Sequence, residues 1–214
     1  VTTTKKLNLT SFNDVDAALA DIIAYNAADS IDAVVAGVLT SGTNIIYGGT
    51  ATNTAGITAG STISVSDIRA AVTNLRSNKA LPRIGELYAA YLHPRQTADL
   101  RAETGTGGFQ DLSKYVDRTP FVAGAVGVIE GAFVVETPRV PYAATGAGGI
   151  NVYSAVVAGR EALAEAMGQD ISTVIGPQID ALRRFHTIGW YYFGGWSLLR
   201  QAAIYRLETA ATNG

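Results

Sequence analysis

Apolar positions recur at helical spacing near the start of the chain. After an extended opening at residues 1–10, Ser11 to Asn13 offers N-caps, and Asp14 and Asp16 suit a helix N-terminus. Val15, Leu19, Ile22 and Ile23 are then followed by Ile31, Val34, Val35 and Val38, which predicts a helix to Leu39 about 40 Å long. The stripe slips near Ala27 and Ala28, so the helix turns its apolar face or bends there. A second helix is predicted from Ser66 as N-cap, Asp67 in the first turn, and Ile68, Val72 and Leu75, ending before Pro82. Leu87 to Leu92 reads as a buried strand. His93-Pro94 closes it, and Pro94 suits the first position of a short helix to about Glu103. Beyond the glycine-rich loop Gly105-Thr106-Gly107-Gly108, a strand is predicted from Val126 to Val135, interrupted at Gly127 and Gly131. Then come a strand from Val152 to Val157, a helix from Gly159 or Arg160 to Met167, the aromatic run Trp190-Tyr191-Tyr192-Phe193, and a last strand from Leu198 to Leu207. Interleaved helices and strands without a fixed repeat or a Pro-rich linker give an α+β fold.

Charge changes the picture. The chain of 214 residues carries 16 Lys and Arg and 18 Asp and Glu, 16% in all, against roughly 25% in an average soluble domain. With Ala at 34 positions and Gly at 23, a surface short of charge and rich in small residues suits a protein covered by copies of itself or by a partner. The net charge of -2 disfavours a sequence-independent phosphate binder, and the four lysines, Lys5, Lys6, Lys79 and Lys114, are scattered. The lack of cysteine removes disulfides, thiolate metal sites and cysteine nucleophiles together. Residues 33–66 and 140–159 hold no charge, yet glycines, asparagines and Pro141 interrupt both, so neither reads as a membrane span. Uncharged loops of that length imply function or burial against another chain. The chain opens on Val1 instead of Met, without an apolar leader, and is expected to be part of a longer product.

Candidate chemistry is sparse. His93 and His186 have no companion His or Cys at ligand spacing, so no metal site is predicted, and His93 before Pro94 reads as a structural histidine. A hydrolase built on His93 or His186 would need a serine. The nearest approach to a nucleophile elbow, Gly195-Trp196-Ser197-Leu198-Leu199, lacks the second glycine. The loop at 105–108 lacks the Lys-Ser or Lys-Thr of a P-loop, and Gly124, Gly127 and Gly131 fit no dinucleotide fingerprint. Trp190, Tyr191, Tyr192, Phe193 and Trp196, with only Arg183 and Arg184 nearby, are expected to pack in a core. No catalytic residue, cofactor site or metal site is therefore assigned, and the chain is not expected to be an enzyme.

The order of segments resembles tailed-bacteriophage major capsid proteins of the Hong Kong 97 fold, in the branch with a Tyr…His-Pro-x-Gln-x-x-Asp-Leu motif. Here the motif stands as Tyr88, Tyr91, His93, Pro94, Gln96, Asp99 and Leu100. Further likeness lies in Gly124 to Gly127 with Phe133-Val134-Val135 and Pro138, in Val152-Tyr153 leading to Gly159-Arg160-Glu161-Ala162, in Ile188-Gly189-Trp190 before Leu198-Leu199, and in Ile204 to Glu208. The resemblance implies a long spine helix, a peripheral domain and an axial domain. It divides the chain into 1–65 (end of the extended loop, spine helix and connecting loop), 66–195 (mainly axial) and 196–214 (a return strand to the peripheral domain). The N-terminal arm and most of the extended loop of that family have no counterpart here, so no crosslinking residue is carried over.

The same resemblance implies a shell protein that self-assembles into hexamers and pentamers, forming an icosahedral phage head around double-stranded DNA. Its expected partners are copies of itself, scaffold and portal proteins and decoration proteins, with DNA enclosed but not read by sequence and no membrane involved. The expected location is the virion head, after synthesis in the bacterial host cytoplasm. An encapsulin-type compartment with a protein cargo is the near alternative. A small hydrolase using His93 or His186, or a decoration or sugar-binding module using the tryptophans, comes from another class.

Overall fold

The computed structural model describes residues 1–11, 15–104, 108, 127–177, 180–182 and 184–212. In chain order the elements are β1 (Thr2–Thr4), α1 (Lys5–Thr10), α2 (Val15–Leu39), β2 (Ile45–Tyr47), α3 (Val65–Ser77), β3 (Tyr88–Leu92), α4 (Pro94–Ala102), β4 (Val128–Ile129), β5 (Ala132–Glu136), β6 (Tyr142–Ala143), β7 (Val152–Ala158), β8 (Leu163–Ile175), β9 (Phe185–Leu198) and β10 (Ile204–Thr209). Short 3-10 turns stand at 54–56, 147–149 and 201–203. The Asn13 cap with Asp14, the loop 105–107, Gly124 and Arg183 lie outside the described residues.

Two compact units divide the chain. The first is Val1–Val35 with Glu165–Trp196, and the second is Ala36–Ala164 with Ser197–Gly214.

In the second unit a seven-stranded sheet has the order β2-β10-β7-β3-β5-β4, with β6 also paired to β7. Strand β7 runs antiparallel to both β10 and β3, while β2–β10 and β3–β5 are parallel. With neighbours on both edges and nearly every residue buried, β7 has no place for a charge, which accounts for the charge-free run at 152–158. Helix α3 lays Val65, Ile68, Ala71, Val72 and Leu75 into one core with Tyr88, Leu92, Val156, Ile204 and Leu207. Its N-cap is Ser64, two residues before the expected Ser66. The Ser64 hydroxyl accepts from the Asp67 N–H, and the Asp67 carboxylate accepts from the Ser64 N–H at 2.9 Å, a capping box that fixes the helix start. The expected final strand is two: β9 ends at Leu198, a 3-10 turn follows, and β10 enters the sheet between β2 and β7.

The first uncharged stretch packs on its own chain. Ile57, Ser61 and Ile63 are buried, the Ala147 N–H donates to the Ile57 carbonyl, and the Ala210 N–H donates to that of Ser61. Gly48 is required there, since a Cβ would stand 2.7 Å from the Ser61 carbonyl oxygen. Buried Glu208 fastens the region to β10: Thr54 donates to it at 2.6 Å and Arg206 pairs with it at 2.9 Å. The Arg206 guanidinium also donates to the Thr40 carbonyl.

In the first unit a three-stranded sheet has the order β1-β9-β8, with Thr3 opposite His186. The expected helix from Gly159 or Arg160 to Met167 is instead a turn followed by β8, which runs for 13 residues. Leu163, Ala164, Glu165 and Ala166 are good helix formers, but pairing with β9 overrides that local preference. The extended opening is cut short as well, since Thr4 caps α1 by accepting from the Leu7 N–H at 3.2 Å.

Candidate assembly surfaces

His93 is a helix cap. Its Nδ1 accepts from the Arg95 N–H at 3.2 Å, its own N–H donates to the Gln96 carboxamide at 3.1 Å, and Pro94 occupies the first helical position. The imidazole lies against Tyr153 and Tyr142, with ring centroids 4.8 and 6.0 Å away, and Arg95 donates to the Tyr153 hydroxyl at 2.9 Å. Burial, and then the Arg95 charge, pushes its pKa below the usual imidazole range against a weaker pull from Glu136. The motif Tyr…His-Pro-x-Gln is therefore local architecture: it ends β3, starts α4, and places Gln96, fully buried, to donate to the Thr209 hydroxyl at 2.8 Å.

His186 belongs to the first unit. Its Nε2 lies 2.8 Å from the buried Thr3 hydroxyl and 3.4 Å from Asp16 Oδ1. A hydrolytic triad uses the two imidazole nitrogens separately, one for the nucleophile and one for the carboxylate. Here the Thr3 hydroxyl lies within reach of both nitrogens, 2.8 Å from Nε2 and 3.3 Å from Nδ1, and Asp16 approaches Nε2 as well, so the two nitrogens are not divided between a nucleophile and a carboxylate. Among the described residues no group of three His, Cys, Asp or Glu side chains is placed to hold a metal ion.

The aromatic run does not enter a core. Tyr191 and Phe193 are exposed, Trp190 and Trp196 are half-buried, and Tyr192 stacks on Trp196 at 5.2 Å with the rings 6° apart. The Trp190 indole N–H donates to the Asn26 side chain at 3.1 Å, and the Tyr192 hydroxyl donates to Glu165 at 3.3 Å. Sequence alone marks these residues as needing cover but does not say that the cover is missing within the chain. Met167, Ile171, Val174 and Ile175 on β8 are also exposed. An apolar hollow on this strand pair is lined by Ala166, Met167, Gly168, Phe193, Gly194 and Gly195. Gly168 keeps it open to the ring, since a Cβ there would stand 2.6 Å from Phe193.

Helix α2 has the same character. Of its 25 residues only Ile23 and Ala27 are buried, and it is long and apolar enough to cross a membrane by length and composition. A helix with this many apolar residues left uncovered calls for a partner surface. The first unit thus offers a long helix and a strand pair whose apolar residues exceed what the unit itself covers, as a surface made to meet another chain does.

Comparison with known proteins agrees. The family model described as phage capsid protein matches residues 2–203. The capsid of Ralstonia phage GP4 is similar with a TM-score of 0.77 and 17% identity, covering 99% of this chain and 72% of that one. The Cyanophage Pam1 capsid asymmetric unit gives 0.75 and 15%, covering 100% and 74%. A chain of Mycobacterium phage Che8 gives 0.70 and 15%, covering 97% and 68%. At such identities the structures speak for the fold, which is the α+β, Hong Kong 97 type expected from the order of motifs. No curated protein matches the sequence.

Proposed function

The chain belongs to the phage capsid protein family and is a structural major capsid protein of the virion head; from that premise we propose that it closes, as hexamers and pentamers, into an icosahedral shell around double-stranded DNA. The observation that carries the proposal is the first unit, whose exposed α2, β8 and β9 need the cover that repeated neighbours supply. The role is structural and not catalytic. With a net charge of -2, DNA is held by the closed container and its counterions instead of by a basic, sequence-reading surface. Scaffold, portal and decoration proteins are the expected helpers of such a shell, and synthesis in the bacterial cytoplasm precedes assembly. The encapsulin reading has no observation in its favour, since the family match and the similar structures above are phage capsids.

We further assign the unit of α2 and the β8–β9 strands to the peripheral domain and the unit of the seven-stranded sheet to the axial domain. The support is the company each element keeps: β8 and β9 share a unit with α2, and β10 is hydrogen-bonded to β7. Electron microscopy of purified native particles with mass determination on the same sample tests the function. Closed shells tens of nanometres across containing DNA are expected; a monomer or dimer under assembling conditions would overturn it.

A further inference from the structure

Charge is unevenly divided along this chain. From Leu7 to Ile68 there is no lysine or arginine, while the other residues hold all 16 of them against 12 of the 18 acidic residues. Most of the acidic excess sits on α2. With successive residues turned by about 100°, Asp21, Ile22, Tyr25 and Asp32 share one face, opposite the buried Ile23 and Ala27. Ile22 is 60% and Tyr25 75% exposed, and the exposed Asp21 and Asp32 have no ion-pair partner among the described residues. This face is acidic and apolar at once.

The second unit carries the opposite surface. Three turns meet there: the Arg160 N–H donates to the Leu81 carbonyl at 2.7 Å, the Leu199 N–H to that of Ala162 at 2.9 Å, and the Arg200 guanidinium to that of Asn78 at 3.1 Å. Together they display Lys79, Arg83 and Arg160, none with an ion-pair partner among the described residues, around Leu81 and Leu199, which are 54% and 63% exposed. Glu161 lies within these turns, and the exposed Glu86 stands in the turn that Arg83 opens. Lys79 and Glu161 hold φ angles of 53° and 63°, a left-handed conformation that persists for side-chain-bearing residues only where the surroundings enforce it. The cations are therefore presented from turns of fixed shape.

We propose that these surfaces are the two halves of one interface, the acidic apolar face of α2 in one copy docking on the basic apolar turn cluster of a second copy of this chain. The charge that one surface lacks is displayed by the other, and each sets exposed apolar side chains among unpaired charges. Two different patches of the same chain make a heterologous contact, which closes into a ring when the rotation allows, and hexamers and pentamers are rings. The inference rests on the capsid reading above.

The test uses the full chain as wild type, as Asp21→Lys/Asp32→Lys, as Arg83→Glu/Arg160→Glu, and as the fourfold swap. Assembly is followed by sedimentation velocity and electron microscopy. Each double reversal sets like charges against each other and is expected to raise the concentration needed for assembly about a hundredfold, with the swap returning to within about tenfold of wild type. Wild-type assembly with both reversals unaffected, or with a swap worse than either reversal, overturns the interface while leaving the capsid reading intact. A wild type that never assembles overturns the capsid reading first. Circular dichroism of the free subunits shows whether a reversal has unfolded one. If so, Asp21→Asn/Asp32→Asn serves instead, and its assembly should lose the salt sensitivity of the wild type, an unchanged sensitivity counting against the interface.

Discussion

The unit built on the seven-stranded sheet and the unit built on α2 spend their apolar residues differently. In the first of these, Tyr88, Leu92, Leu75, Ile204 and Leu207 are sealed at or near zero exposure beneath α3, and the loops around Ile57 and Ile63 close over the sheet. In the other, the buried apolar residues described are Ile23, Ala27 and Ile188, while Ile22, Tyr25, Ile175, Leu182 and Phe193 stand in solvent. One unit covers most of its large apolar residues with its own chain, and the other leaves most of them for assembly to cover. Burial therefore has two sources here, and a residue pattern that demands cover does not say which source provides it.

The sharpest way to break this contrast is to open the finished core. Leu207→Ala should cost about 2 to 5 kcal/mol in denaturant unfolding of the free subunit, because the fully buried leucine leaves a cavity beneath α3. A loss below about 1 kcal/mol would mean that the sheet is not the stable half. Next comes Ser64→Ala, which removes the side-chain half of the α3 capping box and is expected to cost about 1 kcal/mol in the same assay. Phe193→Ala, in the unfinished unit, should change free-subunit stability by no more than about 0.5 kcal/mol and yet weaken assembly. Amide exchange sharpens the same point: α2 and β9 should gain protection on assembly, whereas β7 and β10 should be protected already in the free subunit.

The smallest expected effect is pH-dependent. The folded His93 binds its proton less readily than an ordinary imidazole, so the unfolded chain takes up the proton first as pH falls. Stability is thus complete above about pH 6.5 and declines as the pH drops from there through the lowered folded pKa. His93→Asn retains a capping oxygen and should flatten that part of the melting temperature against pH, leaving the value near neutrality little changed.

Much of the finished unit was legible in sequence because its signals are local. Val72 and Leu75 at helical spacing, His93-Pro94 at a strand end and the charge-free Val152 to Val157 run each announce an element within a few residues, and α3, α4, β3 and β7 stand where expected. The cap of α3 shifted from Ser66 to Ser64 because both serines precede the apolar stripe and only Ser64 has Asp67 three residues on. The unfinished unit was harder. Leu163 to Ala166 favour a helix in isolation, and only a partner strand about thirty residues downstream makes them extended. Trp190 to Trp196 read as core for the right physical reason, but cover from another copy and cover from the same chain leave the same mark in a sequence. The placement of β10 between β2 and β7 depends on pairings across most of the chain, which no local pattern contains.

Strand β9 has a consequence for how the protein must be made. From Thr187 to Leu198 it carries neither a charge nor a proline, and three glycines are the breaks in its aromatic and aliphatic run. Proteins usually guard such a strand with a lysine or a proline against pairing with the wrong chain. Here nothing guards it, so a newly made subunit is in a race in which correct neighbours must arrive before another copy's unfolded β9 does. Slow synthesis at low temperature should therefore raise the soluble yield, and rapid overproduction should send the chain into insoluble deposits.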